Sequence, residues 1–146
     1  NHNLHKTMKK VLVAGKFDLL HPGHLNFFEN AKAHGDHLTV VIARDETIVK
    51  NKGEYPNYSE QSRKQFIESL SIVDEVILGN LGNPLEIIPS VMPSIICLGY
   101  DQEILEEKIV QFCTEKNIQV PQLIRLLPYK ETIFKSSLLK EALIQK

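Results

Sequence analysis

Five short apolar runs, most of them rich in β-branched residues, alternate along the chain with segments whose apolar positions recur at helical spacing. The runs cover 11–14, 38–43, 76–78, 95–98 and 123–127, and each reads as a strand of a buried sheet. Between the first two, Pro22 opens a helix that turns Leu25, Phe27, Phe28 and Ala31 inward and ends at Gly35, read as its C′ residue. The second strand leads into a long polar connection, 44–58. Ser59 then caps a helix that runs through Leu70 and buries Phe66, Ile67 and Leu70. A short helix opens at Pro84 with Leu85, Ile87 and Ile88, and Pro89 and Pro93 punctuate its end. A longer helix places Ile104, Leu105, Ile109, Phe112 and Cys113 on one face, and a last helix is expected over 134–143. Strands alternating with helices in this way predict a single doubly wound α/β domain, its five-stranded parallel sheet covered on both faces.

A Rossmann-like sheet of this kind binds its ligands at the carboxyl ends of the strands. Polar clusters fall at four such ends. Lys16 to His24 follow the first strand, and Arg44 with the Lys50/Lys52 segment follows the second. Tyr100-Asp101-Gln102 follows the fourth, and Tyr129-Lys130-Glu131 leads from the fifth into Lys135-Ser136-Ser137. Scattered surface charge has no reason to respect strand direction, so one shared pocket is expected. Charge is nearly balanced, at 17 basic against 18 acidic residues, and no basic stripe is interleaved with aromatics. A nucleic-acid partner is therefore not expected, and the absence of a long apolar run argues against a membrane span. Cys97 and Cys113 lie in apolar patterns without metal-ligand spacing and read as core thiols of a cytoplasmic protein. Residues 1–8 are polar and patternless and are set apart from the domain, 9–146; Met8-Lys9-Lys10 reads as a native start.

The chemistry concentrates after the first strand, in Gly15-Lys16-Phe17-Asp18-Leu19-Leu20-His21-Pro22-Gly23-His24. With Pro22 at the first helical turn, His21 and His24 lie on one side of a helix N-terminus, where unpaired N–H groups and the dipole favour an anion. Two imidazoles there can donate to phosphate oxygens; the plainer alternative is a helix cap with two surface histidines. Lys50 and Lys52 suit either a phosphate clamp or a solvated segment, and Arg63 reads as a phosphate contact or an ordinary surface arginine. Asp101 is placed to accept from a ribose or base, or to cap its helix. Lys135, Ser136 and Ser137 form a second anion nest or a helix cap.

The segment Gly15 to His24 resembles the signature of the nucleotidyltransferase superfamily that contains the small cytidylyltransferases and the archaeal FAD synthases. Lys16 departs from the Thr, Ser, Cys or Val common at that place and adds a cation near the phosphates. Lys50-Asn51-Lys52-Gly53 resembles the family's lysine-bearing segment, and Arg63 its arginine early in the next helix. Lys130-Glu131-Thr132-Ile133-Phe134-Lys135-Ser136-Ser137 lacks the arginine and glycine of the cytidylyltransferase form and resembles the archaeal FAD synthases. Leu98-Gly99-Tyr100-Asp101-Gln102 and Arg44-Asp45-Glu46-Thr47 point the same way, and the likeness spans nearly all of residues 9 to 143.

The resemblance implies attack of a phosphomonoester on the α-phosphorus of a nucleoside triphosphate, with ATP and FMN favoured. Gly15, Lys16, Phe17, Asp18, Gly23, Gly99, Asp101, Lys135, Ser136 and Ser137 would then bind the nucleotide. His21, His24, Lys50 and Lys52 would act on the reacting phosphates, with Arg63 and Lys130 as further phosphate contacts. Mg²⁺ would arrive with the nucleotide, since the sequence shows no dedicated metal site. The rival readings are CTP-dependent transfer to glycerol 3-phosphate or another phospho-alcohol, adenylyl transfer to a sugar phosphate, and a non-catalytic nucleotide-binding module. A homodimer stays open.

Overall fold

The structure, a computed structural model, describes residues 8–127 of the chain. Its strands are β1 (Lys10–Gly15), β2 (His37–Ile42), β3 (Glu75–Leu78), β4 (Ile95–Leu98) and β5 (Gln122–Arg125). Its helices are α1 (Pro22–Lys32), α2 (Asp45–Lys52), α3 (Glu60–Glu68), α4 (Ile87–Val91) and α5 (Glu106–Glu115). The sheet order is β3-β2-β1-β4-β5, and all four neighbouring pairs are parallel. The expected doubly wound sheet is therefore present. Strand order reverses between β1 and β4, the place where such sheets open a ligand crevice. The register shows it opening: β1 pairs with β2 from Lys10↔His37 through Gly15↔Ile42, but with β4 only at Val11↔Ile95 and Leu12↔Ile96.

Side-chain alternation along the strands builds two cores. Val11, Val13, Val40 and Ile42 face α1 and α3, where Phe28, Ala31 and Ile67 close the layer. Leu12, Val41, Ile96 and Leu98 face α4 and α5, against Ile88, Val91, Ile109, Phe112 and Cys113. Burial on both faces explains why these strands read as continuous apolar runs.

Several elements differ from expectation. The polar connection after β2 contains α2, whose acids Asp45 and Glu46 stand in the first turn and whose Lys50 and Lys52 stand in the last. That arrangement matches the helix dipole, and Gly53 closes the helix at φ 83°, in the left-handed region. Gly35 is not a left-handed C′ residue: a Cβ there would stand 2.6 Å from Val11 Cγ2 and 2.7 Å from the Lys9 carbonyl, so close approach requires the glycine. Leu25 and Phe66 are exposed, and Pro89 lies within α4 instead of ending it. Helix α5 begins at Glu106, which leaves Ile104 and Leu105 exposed before it and rules out Asp101 as its cap. The helix expected over 134–143 lies outside the described residues, as do Lys130, Lys135, Ser136 and Ser137.

Candidate active site

His21 and His24 are locked together at the start of α1. His21 Nδ1 accepts from the Gly23 N–H at 3.1 Å, and His24 Nδ1 accepts from the His21 N–H at 3.2 Å. The pair is a capping box built from two imidazoles, with ring centroids 4.0 Å apart. A neutral imidazole that accepts through Nδ1 carries its proton on Nε2, so each ring keeps an Nε2–H donor. The cap reading and the phosphate reading are thus compatible: one nitrogen holds the helix and the other is left for an anion. The cap also consumes backbone donors expected for the anion, because the N–H groups of His21, Gly23 and His24 all bond within this turn.

Phe17 supplies the wall behind the histidines. Its φ of 49° lies in the left-handed region, which costs a non-glycine residue about 1–3 kcal/mol. The buried ring packs 5.2 Å from Phe28 and edge-on to His24 at 5.8 Å, and that burial offsets the strain. The folded-back ring explains Gly15, where a Cβ would stand 2.8 Å from the Phe17 ring. Burial lowers the His24 pKa; the neighbouring His21 lowers it further, and Asp101 partly opposes both. His24 is therefore held neutral, as a donor and not a fixed cation.

Gly15, Lys16, Phe17, His21 and His24 line a cavity of about 430 Å³ at the carboxyl end of the sheet, together with Gly23, Gly99 and Asp101. A second cavity of the same volume, bounded by Ile88, Met92, Ile118 and Gln122, carries no titratable side chain. Volume does not decide between them, but chemistry favours the first. The lining also includes Leu126 and Leu127 after β5, and Asn26, Phe27 and Asn30 of α1, which were not expected at the site. Asn26, Phe27 and Asn30 follow Gly23 at helical spacing, so extending the motif's face by two turns would have found them.

Asp18 and Arg63 occupy a different place from the one expected. Both Asp18 oxygens are taken by the connection between α2 and α3: Oδ2 accepts from the Asn57 N–H at 2.6 Å and its side chain at 3.0 Å, and Oδ1 from the Tyr58 N–H at 2.8 Å. Burial raises the Asp18 pKa, but these hydrogen bonds, helped by Lys16, outweigh it and hold the carboxyl below its ordinary value. Arg63 is 0% exposed, so it is neither a surface arginine nor a contact lining the cavity. It donates to the carbonyls of Tyr58, Lys16 and Ala43 and to the Asp45 carboxylate at 2.7 Å, and so joins the motif turn to the start of α2. Arg44 is likewise engaged, with the Gly79 carbonyl and Glu60. Lys50 and Lys52 are exposed on α2 and do not line the cavity.

Residues 12–141 match the family described as Cytidylyltransferase-like. The chain is 39% identical over 125 residues to an FAD synthase from Aciduliprofundum boonei, covering 86% of this chain and 83% of the relative. Among solved structures, a lipopolysaccharide core biosynthesis protein from Thermoplasma volcanium superposes with a TM-score of 0.79 at 37% identity, over 85% of this chain and all of the other. A pantoate-β-alanine ligase from Francisella tularensis shares the fold at 18% identity and a TM-score of 0.60, over 88% of this chain and 62% of its own.

Proposed function

Since the chain belongs to the cytidylyltransferase-like nucleotidyltransferases, we propose that it transfers the adenylyl group of ATP to FMN, giving FAD and pyrophosphate. The observation that carries this choice of substrates is the 39% identity to an FAD synthase over most of both chains. An FMN phosphate oxygen attacks the α-phosphorus, a new P–O bond forms, and the bond to the β-phosphate bridging oxygen breaks. The reaction needs alignment and charge neutralisation more than a covalent nucleophile. The Nε2–H groups of His21 and His24 donate to oxygens of the α- and β-phosphates, and Lys16 adds a cation from the same turn. By the family resemblance we assign the acceptor phosphate to Lys50 and Lys52, which stand on α2 outside the cavity, the outgoing phosphates to Lys135, Ser136 and Ser137, and a further phosphate contact to Lys130. Asp18 and Arg63 act through the backbone they fix. Among the described residues no three His, Cys, Asp or Glu side chains form a metal group. The lining holds a single carboxylate, Asp101, too few to cage a metal, so a Mg²⁺ ion would be held mainly by the phosphates of the nucleotide itself. That ion would neutralise phosphate charge.

The 37% identity to a lipopolysaccharide core biosynthesis protein favours one second reading, nucleotidyl transfer to a sugar phosphate. Pyrophosphate release with Mg²⁺ separates the readings. ATP and CTP are each crossed with FMN, glycerol 3-phosphate, phosphoethanolamine and a sugar 1-phosphate. Turnover is expected with ATP and FMN alone. Turnover with CTP, or with ATP and the sugar phosphate only, contradicts the proposal, and nucleotide binding without any turnover points to a non-catalytic module.

A further inference from the structure

Beyond Leu12, where β1 and β4 separate, a side chain replaces the strand ladder. Gln102 accepts from the Gly99 N–H through Oε1 at 2.7 Å and donates from Nε2 to the Ala14 carbonyl at 2.9 Å. The amide stitches together the two strand ends that border the cavity. Arg125, at the end of β5, gathers the loop that follows β4. Its Nη1 donates to the Gly99 carbonyl at 2.9 Å and the Gln102 carbonyl at 2.7 Å. Its Nη2 donates to the Ile104 carbonyl at 2.8 Å and a Glu106 oxygen at 2.7 Å, and Nε to the other Glu106 oxygen at 3.3 Å. All five guanidinium N–H groups are used within the protein, so this cation is not spare for a substrate phosphate.

Three carbonyls drawn to one point fix the loop on either side of Tyr100 and Asp101, which face the cavity. The cavity has two chemically distinct sides. His21, His24 and Lys16 suit phosphates, whereas Tyr100 and Asp101 offer an aromatic ring and an acceptor that phosphate would repel. The second side suits a ribose and base.

We propose that Arg125, acting with Gln102, is a positioning residue for the nucleoside half of the site, holding residues 99–104 in the shape that receives base and ribose. The inference rests on the reading that a nucleotide fills this cavity, though not on FMN as its acceptor. A preformed loop spares the ordering cost that binding would otherwise meet. Lysine cannot reproduce the effect, because one ammonium lacks the planar five-donor fork.

The test compares the intact chain with Arg125→Met and Arg125→Lys by calorimetric titration with ATP and with inorganic triphosphate, both with Mg²⁺. Arg125→Met is expected to weaken ATP about tenfold and triphosphate by less than about twofold, because only ATP uses the loop. Arg125→Lys should fall between, and KM for ATP should rise while kcat holds. Equal weakening of both ligands, or unchanged ATP affinity in a folded variant, overturns the proposal. If Arg125→Met does not fold, the ratio of the two affinities in Arg125→Lys decides. An intact chain that binds ATP no more tightly than triphosphate would overturn the nucleotide reading itself, and the inference with it.

Discussion

A histidine that must donate to phosphate has to keep its proton on the right nitrogen, and here the backbone assigns it. The capping bonds to His21 and His24 both use Nδ1, which leaves Nε2–H for the substrate. Replacing His24 by Asn retains a side-chain acceptor for the His21 N–H while removing the Nε2–H. For His24→Asn, kcat is expected to fall about 100–1000-fold with a near-normal unfolding midpoint. His24→Ala should lose the same activity and about 1 kcal/mol of stability as well, because the cap goes with it. Comparable kcat in His24→Asn and wild type would contradict the assignment. The pH dependence follows from the same bonds. The folded chain holds the His24 pKa below the ordinary histidine value of about 6.5, so the unfolded chain takes up the proton first. Stability from this residue is present above about pH 6.5 and is lost as pH falls, when a proton on Nδ1 would also remove the cap acceptor. Thermal midpoints should therefore drop more steeply between pH 7 and pH 5 in wild type than in His24→Asn; parallel curves would contradict it. The histidine spacing was legible in the sequence. The choice of nitrogen was not, because it depends on backbone angles at His21.

Among the elements, α2 escaped the sequence pattern because Ile48 is its only buried residue, too little to mark an amphipathic face. The signal that was available was electrostatic: acids first, lysines last, then glycine. Arg63 shows a different limit. A helix arginine is ordinarily solvated, and nothing in Ser59-Glu60-Gln61-Ser62-Arg63 announces that three carbonyls from separate loops will converge on it. Buried without its guanidinium, those acceptors and Asp45 lose their partner. Arg63→Met is expected to cost about 3–5 kcal/mol in urea unfolding. A loss below about 1 kcal/mol would show that the loops hold their places without it.

At the scale of the whole molecule, the five strands were legible because a parallel sheet buried on both faces leaves uninterrupted apolar runs. The strand order was not, since any crossover obeying the same handedness would fit those runs. The order matters, because it parts β1 from β4 beside the histidines. Both cysteines lie in the core so formed, and burial pushes the Cys97 thiol up to about 11 and raises that of Cys113 too. Neither should react with iodoacetamide at pH 8 in the native protein, and both should react at the rate of global unfolding. Rapid labelling of the native state would contradict the two-core packing.

Transfer of an adenylyl group within this pocket is followed by the label of α-³²P ATP in the presence of FMN and Mg²⁺. The label should appear in FAD, with one unlabelled pyrophosphate released per FAD and almost none in His24→Asn. Label recovered only as AMP, or left in ATP while FMN is unchanged, would contradict it.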